Sequence, residues 1–184
     1  MRNVVVSTYV SLDGVFEDPA WSAPYWSDEA QQFAHDQLFA SDALLLGRTT
    51  YEAFAASWPT EEWIEREGDF AERMNSLPKF VASTSLEEPL EWQNSSLLEG
   101  DVAEEVHKVK DQPGQDILMY SSVELMHKLM EDDLIDEYRI WVHPVVLGSG
   151  GRLFKEGIEK TELKLVDTTT LPNGVVVLTY QPAK

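Results

Sequence analysis

The sequence predicts an α/β fold: a doubly wound, mainly parallel sheet finished by an antiparallel C-terminal hairpin. Three observations carry this. Short apolar runs alternate with segments of helical period up to about residue 142, the pattern of successive βαβ units. Ile117–Met119, the polar pair Ser121–Ser122, the periodic Val123, Leu125, Met126, Leu129 and Met130, and then Tyr138–Val142 form one complete unit of that kind. Near the C-terminus LKLVDTTTL and VVVLTYQP flank Pro172–Asn173–Gly174, and Asn-Gly between two β-rich runs is a hairpin signal.

Taken in order, Asn3–Ser11 is rich in β-branched residues and reads as a central strand, closed by the turn Leu12–Asp13–Gly14. A loop with two prolines and two tryptophans follows, and Ser27 then caps a helix to about Ala40, with Asp28 and Glu29 in its first turn. Ala43–Leu46 is a short buried strand, and GRTTYEAF turns into a second helix. Trp58–Pro59 interrupts the pattern before a single polar helix from Glu61 to about Asn75. Lys79–Ala82 is a strand, Ser96–Leu98 a weaker one, and Asp101 caps a charged helix that Gln112–Pro113–Gly114 ends. Neither a repeat nor a linker divides the 184 residues, so we expect one domain.

Composition narrows the function. The formal net charge of −19 argues against nucleic acid or an anionic membrane as partner. Cysteine is absent, which removes disulfides and thiolate chemistry and suits a reducing compartment. With no signal-peptide pattern and no run of membrane-spanning length, a cytoplasmic protein is expected. His35, His107, His127 and His143 show no metal-ligand spacing and no Ser–His–acid arrangement. They read as structural or exposed.

Chemistry is expected where strands give way to helices. Gly47–Arg48–Thr49–Thr50, Ser83–Thr84–Ser85 and Tyr120–Ser121–Ser122–Val123 all follow strands. In a parallel sheet they share one edge and offer backbone N–H groups, small hydroxyls and one guanidinium, a set suited to phosphate. Ser and Thr also cap helices everywhere, so the inference needs all three turns together. The glycine fingerprints of the dinucleotide fold and the P-loop are absent. Asp28, behind the aromatic residues Trp21, Tyr25 and Trp26, is placed to grip a flat nitrogen heterocycle, although helix-dipole stabilisation and ordinary packing explain the same residues. Leu147–Gly148–Ser149–Gly150–Gly151 reads as a flexible connector, with Arg152 a spare anion contact.

SLDG after the first strand, LLLGRTTYEAF, KFVAST and above all LIDEYRIWVHPVVLGSGGRLF resemble the dihydrofolate-reductase-like superfamily, in the branch of the RibD C-terminal reductase domain. The resemblance spans nearly the whole chain. It implies an NADPH-dependent reductase. Gly47, Arg48 and Thr49 with Ser83, Thr84 and Ser85 would face the adenosine half and its 2′-phosphate. Tyr120, Ser121, Ser122, Val123 and Glu124 would hold the diphosphate, and Val10, Asp13 and Gly14 would line the nicotinamide. Two departures stand out. Folate reductases carry paired glycines where this chain has Ser121–Ser122, and serine brings either an obstructing Cβ or a bonding hydroxyl. Their substrate carboxylate falls near Gln31, and only a small shift brings Asp28 to that place. A pterin, the ribosylaminopyrimidine of riboflavin biosynthesis and another small heterocycle all stay open as substrates. A binding protein of the same fold without turnover is the alternative, and a homodimer through the C-terminal strands is expected.

Overall fold

In the computed structural model, which describes residues 1–184, the chain runs β1 (Val4–Val10), α1 (Asp28–Phe39), β2 (Ser41–Gly47), α2 (Arg48–Ala55), α3 (Glu61–Glu67), α4 (Asp69–Ser76), β3 (Lys79–Ala82), β4 (Ser95–Leu97), α5 (Val102–Asp111), β5 (Asp116–Tyr120), α6 (Val123–Glu131), β6 (Glu137–Val142), β7 (Leu163–Thr170) and β8 (Val176–Pro182). Short 3₁₀ turns lie at Pro19–Tyr25 and Pro172–Gly174. All strands join one sheet in the order β4-β3-β2-β5-β1-β6-β8-β7. The pairings from β4 across to β6 are parallel, whereas β8 runs antiparallel to both β6 and β7.

The doubly wound arrangement follows from strand alternation. Val4, Val6, Ile117 and Met119 point to one face and pack with Val106, Met126 and Leu129 from α5 and α6. Val5, Leu44, Leu46 and Leu118 point to the other and meet Ala34, Leu38, Phe70 and Met74 from α1 and α4. A strand covered on both faces can be apolar throughout, which is why β1 and β2 read as continuous hydrophobic runs. No helix is long and apolar enough to cross a membrane.

Three helix starts are closed by side chains. Ser27 accepts from the Ala30 N–H at 3.1 Å, Thr60 from Trp63 at 3.4 Å and Asp101 from Glu104 at 3.0 Å. The helix expected over residues 61–75 is two helices. Gly68, at φ 56° and ψ −124°, breaks it in a conformation that side chains disfavour. The C-terminal hairpin closes through a three-residue loop rather than a two-residue turn. The Leu171 N–H reaches the Val175 carbonyl at 2.8 Å, with Asn173 and Gly174 both at positive φ.

A buried cation organises the far edge of the sheet. Lys79 is fully buried, and its Nζ donates to the carbonyls of Asn75 at 2.9 Å, Leu77 at 2.8 Å and Gln93 at 2.9 Å. The same ammonium lies 4.3 Å from the Trp92 ring centroid. It thereby pins the approach to β3 and the return to β4. Burial pushes its pKa down to about 8, so it stays charged at neutral pH. Between about 8 and 10.5 the unfolded chain holds the extra proton, and stability from this group rises with pH across that window. Lys79→Met should lower stability by about 2–4 kcal/mol, because three carbonyls lose their donor. It should also flatten the slope in that alkaline window. Urea unfolding at neutral and alkaline pH reads both, and unchanged midpoints would refute the clamp.

Candidate functional site

Parallel pairing decides where the connecting turns go. Gly47 stands opposite Ala82, Leu45 opposite Met119, and Ser7 opposite Tyr120. The turns that leave β2, β3 and β5 therefore stand side by side on one rim of the sheet. They are bonded to one another. The Gly47 N–H donates to Ser122 Oγ at 2.9 Å, and Arg48 Nη1 donates to Ser85 Oγ at 2.8 Å. Ser83 Oγ accepts from the N–H groups of Ser85 and Leu86, each at 3.1 Å. Thr84 is exposed at the tip. Arg48 is about half exposed and also meets Glu52, one turn along α2, at 3.1 Å.

Ser121 and Ser122 sit at φ 47° and 53°, consecutive left-handed residues. For a residue with a Cβ this costs about 1–2 kcal/mol each. The Ser121 N–H donates to the Ser7 carbonyl at 3.1 Å, and the Ser122 carbonyl accepts the N–H of Met126 at 2.9 Å. That geometry swings the chain from β5 into α6 without a side-chain cap, and α2, entered from Gly47, is likewise uncapped. Val123 buries its side chain, so only its amide faces the rim, while the Glu124 side chain is exposed. Two adjacent helix starts without side-chain caps, flanked by Arg48, thus stand together on the rim, an arrangement whose amides and guanidinium suit an anion.

The residues after β1 do something else. Asp13 accepts from the N–H groups of Leu147 at 3.1 Å and Gly148 at 2.8 Å and from the Ser11 hydroxyl at 2.5 Å. Those bonds hold its carboxyl well below the usual carboxylate range. Glu17 accepts from the Gly151 N–H at 2.8 Å, and Arg152 bonds the Asp13 carbonyl. A side chain on Gly151 would meet Glu17 within 2.6 Å. The glycine-rich segment expected as a flexible connector is thus strapped across Asp13–Glu17, because its amides are already filled by the chain's own carboxylates. Arg152 is exposed and spends one of its donors on the Asp13 carbonyl. Gly14 lies in this strap at φ 83°, and Val10 is buried with its carbonyl accepting the His143 N–H at 2.9 Å.

Beside the rim opens a cavity of about 850 Å³. Trp26, Gln31, Phe54, Trp58, Trp63 and Phe70 wall it, and Tyr9, Thr49, Tyr120 and Ser121 connect it to the rim. Of the residues expected around the substrate, Trp26 and Gln31 line it, whereas Trp21, Tyr25 and Asp28 do not. Trp21 and Tyr25 turn their rings onto His143, at 5.2 and 5.9 Å, and the Trp21 indole donates to the Glu17 carbonyl at 2.9 Å. Asp28 is exposed on the first turn of α1, one turn before Gln31. The aromatic residues of α2 to α4 were not expected here, since their helical spacing reads equally as ordinary core.

Residues 2–177 match the model of the RibD C-terminal domain. The uncharacterized protein YyaP of Bacillus subtilis (strain 168) is 31% identical over 180 residues, covering 97% of this chain and 94% of that one. In fold, the chain is similar to a putative riboflavin biosynthesis protein from Shewanella sp. PV-4, at 22% identity and a TM-score of 0.79 over the full length of both. It is also similar to dihydrofolate reductase from Enterococcus faecalis complexed with NADP(H), at 14% identity and a TM-score of 0.65, covering 99% and 97% of the two chains.

Ser121→Gly should raise stability by up to about 1 kcal/mol, the left-handed strain relieved outweighing the added freedom of the unfolded chain. Ser122→Gly should gain less, because the Gly47 N–H loses its acceptor. Thermal unfolding of both variants reads the difference. His143 is buried, which pushes its pKa below 6.5 although its Nδ1 lies 2.9 Å from the Trp141 carbonyl. The unfolded chain therefore takes the proton first, and stability from this group is lost as pH falls through about 6.5. As pH falls below about 6.5 the urea midpoint should drop, and drop less in His143→Phe.

Proposed function

The chain belongs to the RibD C-terminal domain family, and on that premise we propose that it is an NADPH-dependent reductase of a pterin- or pyrimidine-like heterocycle. One observation carries this reading: two uncapped helix starts and the Arg48 guanidinium stand together on a rim that opens into an aromatic-walled cavity. The open amides of α6 suit a diphosphate. Arg48, braced by Ser85, suits the 2′-phosphate that separates NADPH from NADH. When bound, the cofactor supplies the hydride. The chain's part is to hold the phosphates, exclude water with Trp26, Phe54 and Trp58, and keep the ring of the substrate flat against the cofactor. The proposal includes a cytoplasmic setting and a homodimer through β7 and β8, whose ribbon leaves Leu165 and Val166 exposed.

Gln31 favours a second reading. It lines the cavity and, by distance along the chain, falls near the substrate carboxylate of folate reductases, so a ligand-binding protein without turnover is the competitor. NADPH oxidation on adding a pterin or pyrimidine separates the two.

Titrating NADPH against tryptophan fluorescence should show saturable quenching. Arg48→Ala should weaken NADPH about 10-fold or more, with NADH little changed, as expected for loss of a charge-assisted contact. Equal losses for both cofactors would remove Arg48 from the 2′-phosphate.

A further inference from the structure

Resting on the reductase reading, we propose that the cavity takes an uncharged planar ring that carries no phosphate, and that the Tyr120 hydroxyl donates a hydrogen bond to a carbonyl oxygen on it. The hydroxyl of Tyr120 is buried and has no hydrogen-bond partner in the protein, yet its residue lines the cavity. A buried hydroxyl without a partner is costly and calls for a ligand atom to satisfy it. Tyr120 ends β5 and its ring meets Phe54 edge-on at 5.7 Å. Burial, with Tyr9 close by, raises its pKa above the ordinary phenol value. It therefore remains a neutral donor, matched to a carbonyl.

Charge at the cavity points the same way. Three carboxylates line it, Glu17, Asp18 and Glu67, against the single guanidinium of Arg66. Arg66 is already engaged by Glu67 at 2.9 Å and by the Trp63 ring at 4.0 Å. No cation is left for a phosphate, and in a chain of net charge −19 a phosphorylated sugar meets repulsion on this side. A protonated diaminopyrimidine finds no buried carboxylate in the lining to pair with. Glu17 is held by the Gly151 N–H, Glu67 by Arg66, and Asp18 is exposed in the loop ahead of Pro19. Gln31, which by distance along the chain falls near the folate-reductase carboxylate, lines the cavity as an uncharged amide.

The test uses the full chain with saturating NADP⁺ and three probes followed by calorimetry: pteridine-2,4-dione, 2,4-diaminopyrimidine, and the pair uracil and uridine 5′-monophosphate. The dione should bind, and more tightly than the diaminopyrimidine. Tyr120→Phe, which keeps the ring, should weaken the dione about 5- to 10-fold with NADP⁺ kept saturating, and should not lower the thermal unfolding midpoint, because the hydroxyl it removes has no partner in the protein. The nucleotide should bind no better than uracil. No binding of the dione, an unchanged dione affinity in Tyr120→Phe, or preference for the diaminopyrimidine or the phosphorylated probe overturns the proposal. Failure of NADP⁺ to bind while the dione titrates normally would instead strike the cofactor reading and leave this one in place.

Discussion

Everything at the site depends on the parallel hydrogen-bonded register of β3, β2, β5 and β1. Parallel strands can be joined only by crossovers, and each crossover must leave from the same rim. Once Leu45 pairs with Met119 and Ser7 with Tyr120, the turns after β2 and β5 have no alternative but to touch. The bond from the Gly47 N–H to Ser122 Oγ is the local consequence. The left-handed pair Ser121–Ser122 is the cost of making that turn with residues that carry a Cβ. The side chain whose Cβ makes Ser122 sterically poor in such a place also carries the hydroxyl that ties the two turns together.

Electrostatics divide the molecule's anion-binding backbone into two parts. Around β1 the amides of the 147–151 segment are filled by Asp13 and Glu17, so the protein acts as its own anion there. At α2 and α6 no carboxylate closes the helix starts. Both regions offer backbone N–H groups, but only the second leaves them for a ligand. With a net charge of −19 the long-range field repels phosphate. On the proposed function, affinity there would rest on short contacts from Arg48 and the amides rather than on attraction from a distance.

The cavity is built differently from the rim. Its aromatic walls come from the loop before α1 and from α2 to α4, a region whose shape depends on the break at Gly68 and on the edge-on contact of Trp58 with Trp63 and its tilted contact with Phe70. Its sheet side carries Tyr9 and Tyr120, each with a raised pKa caused chiefly by burial. Its sheet side is thus an apolar wall with neutral polar points, and the cavity's charge comes from Glu17, Asp18, Arg66 and Glu67. The residues that looked best placed from the sequence, Trp21 and Tyr25, instead lock the loop onto His143.

By itself the amino-acid order determined the fold class, nearly every strand and helix, and the three turns on one edge. These follow from local periodicity, capping residues and Asn-Gly chemistry, and the parallel pattern alone places strand ends together. Tertiary structure decided which groups are free. Asp13 and Asp28 are both acidic residues near the start of the chain, yet one is consumed by amides over 130 residues away and the other faces solvent. Trp21 and Trp26 sit five apart on one loop, yet only Trp26 reaches the cavity. Whether a polar atom is spent on the protein or left for a ligand depends on partners distant in sequence, and no local pattern encodes that.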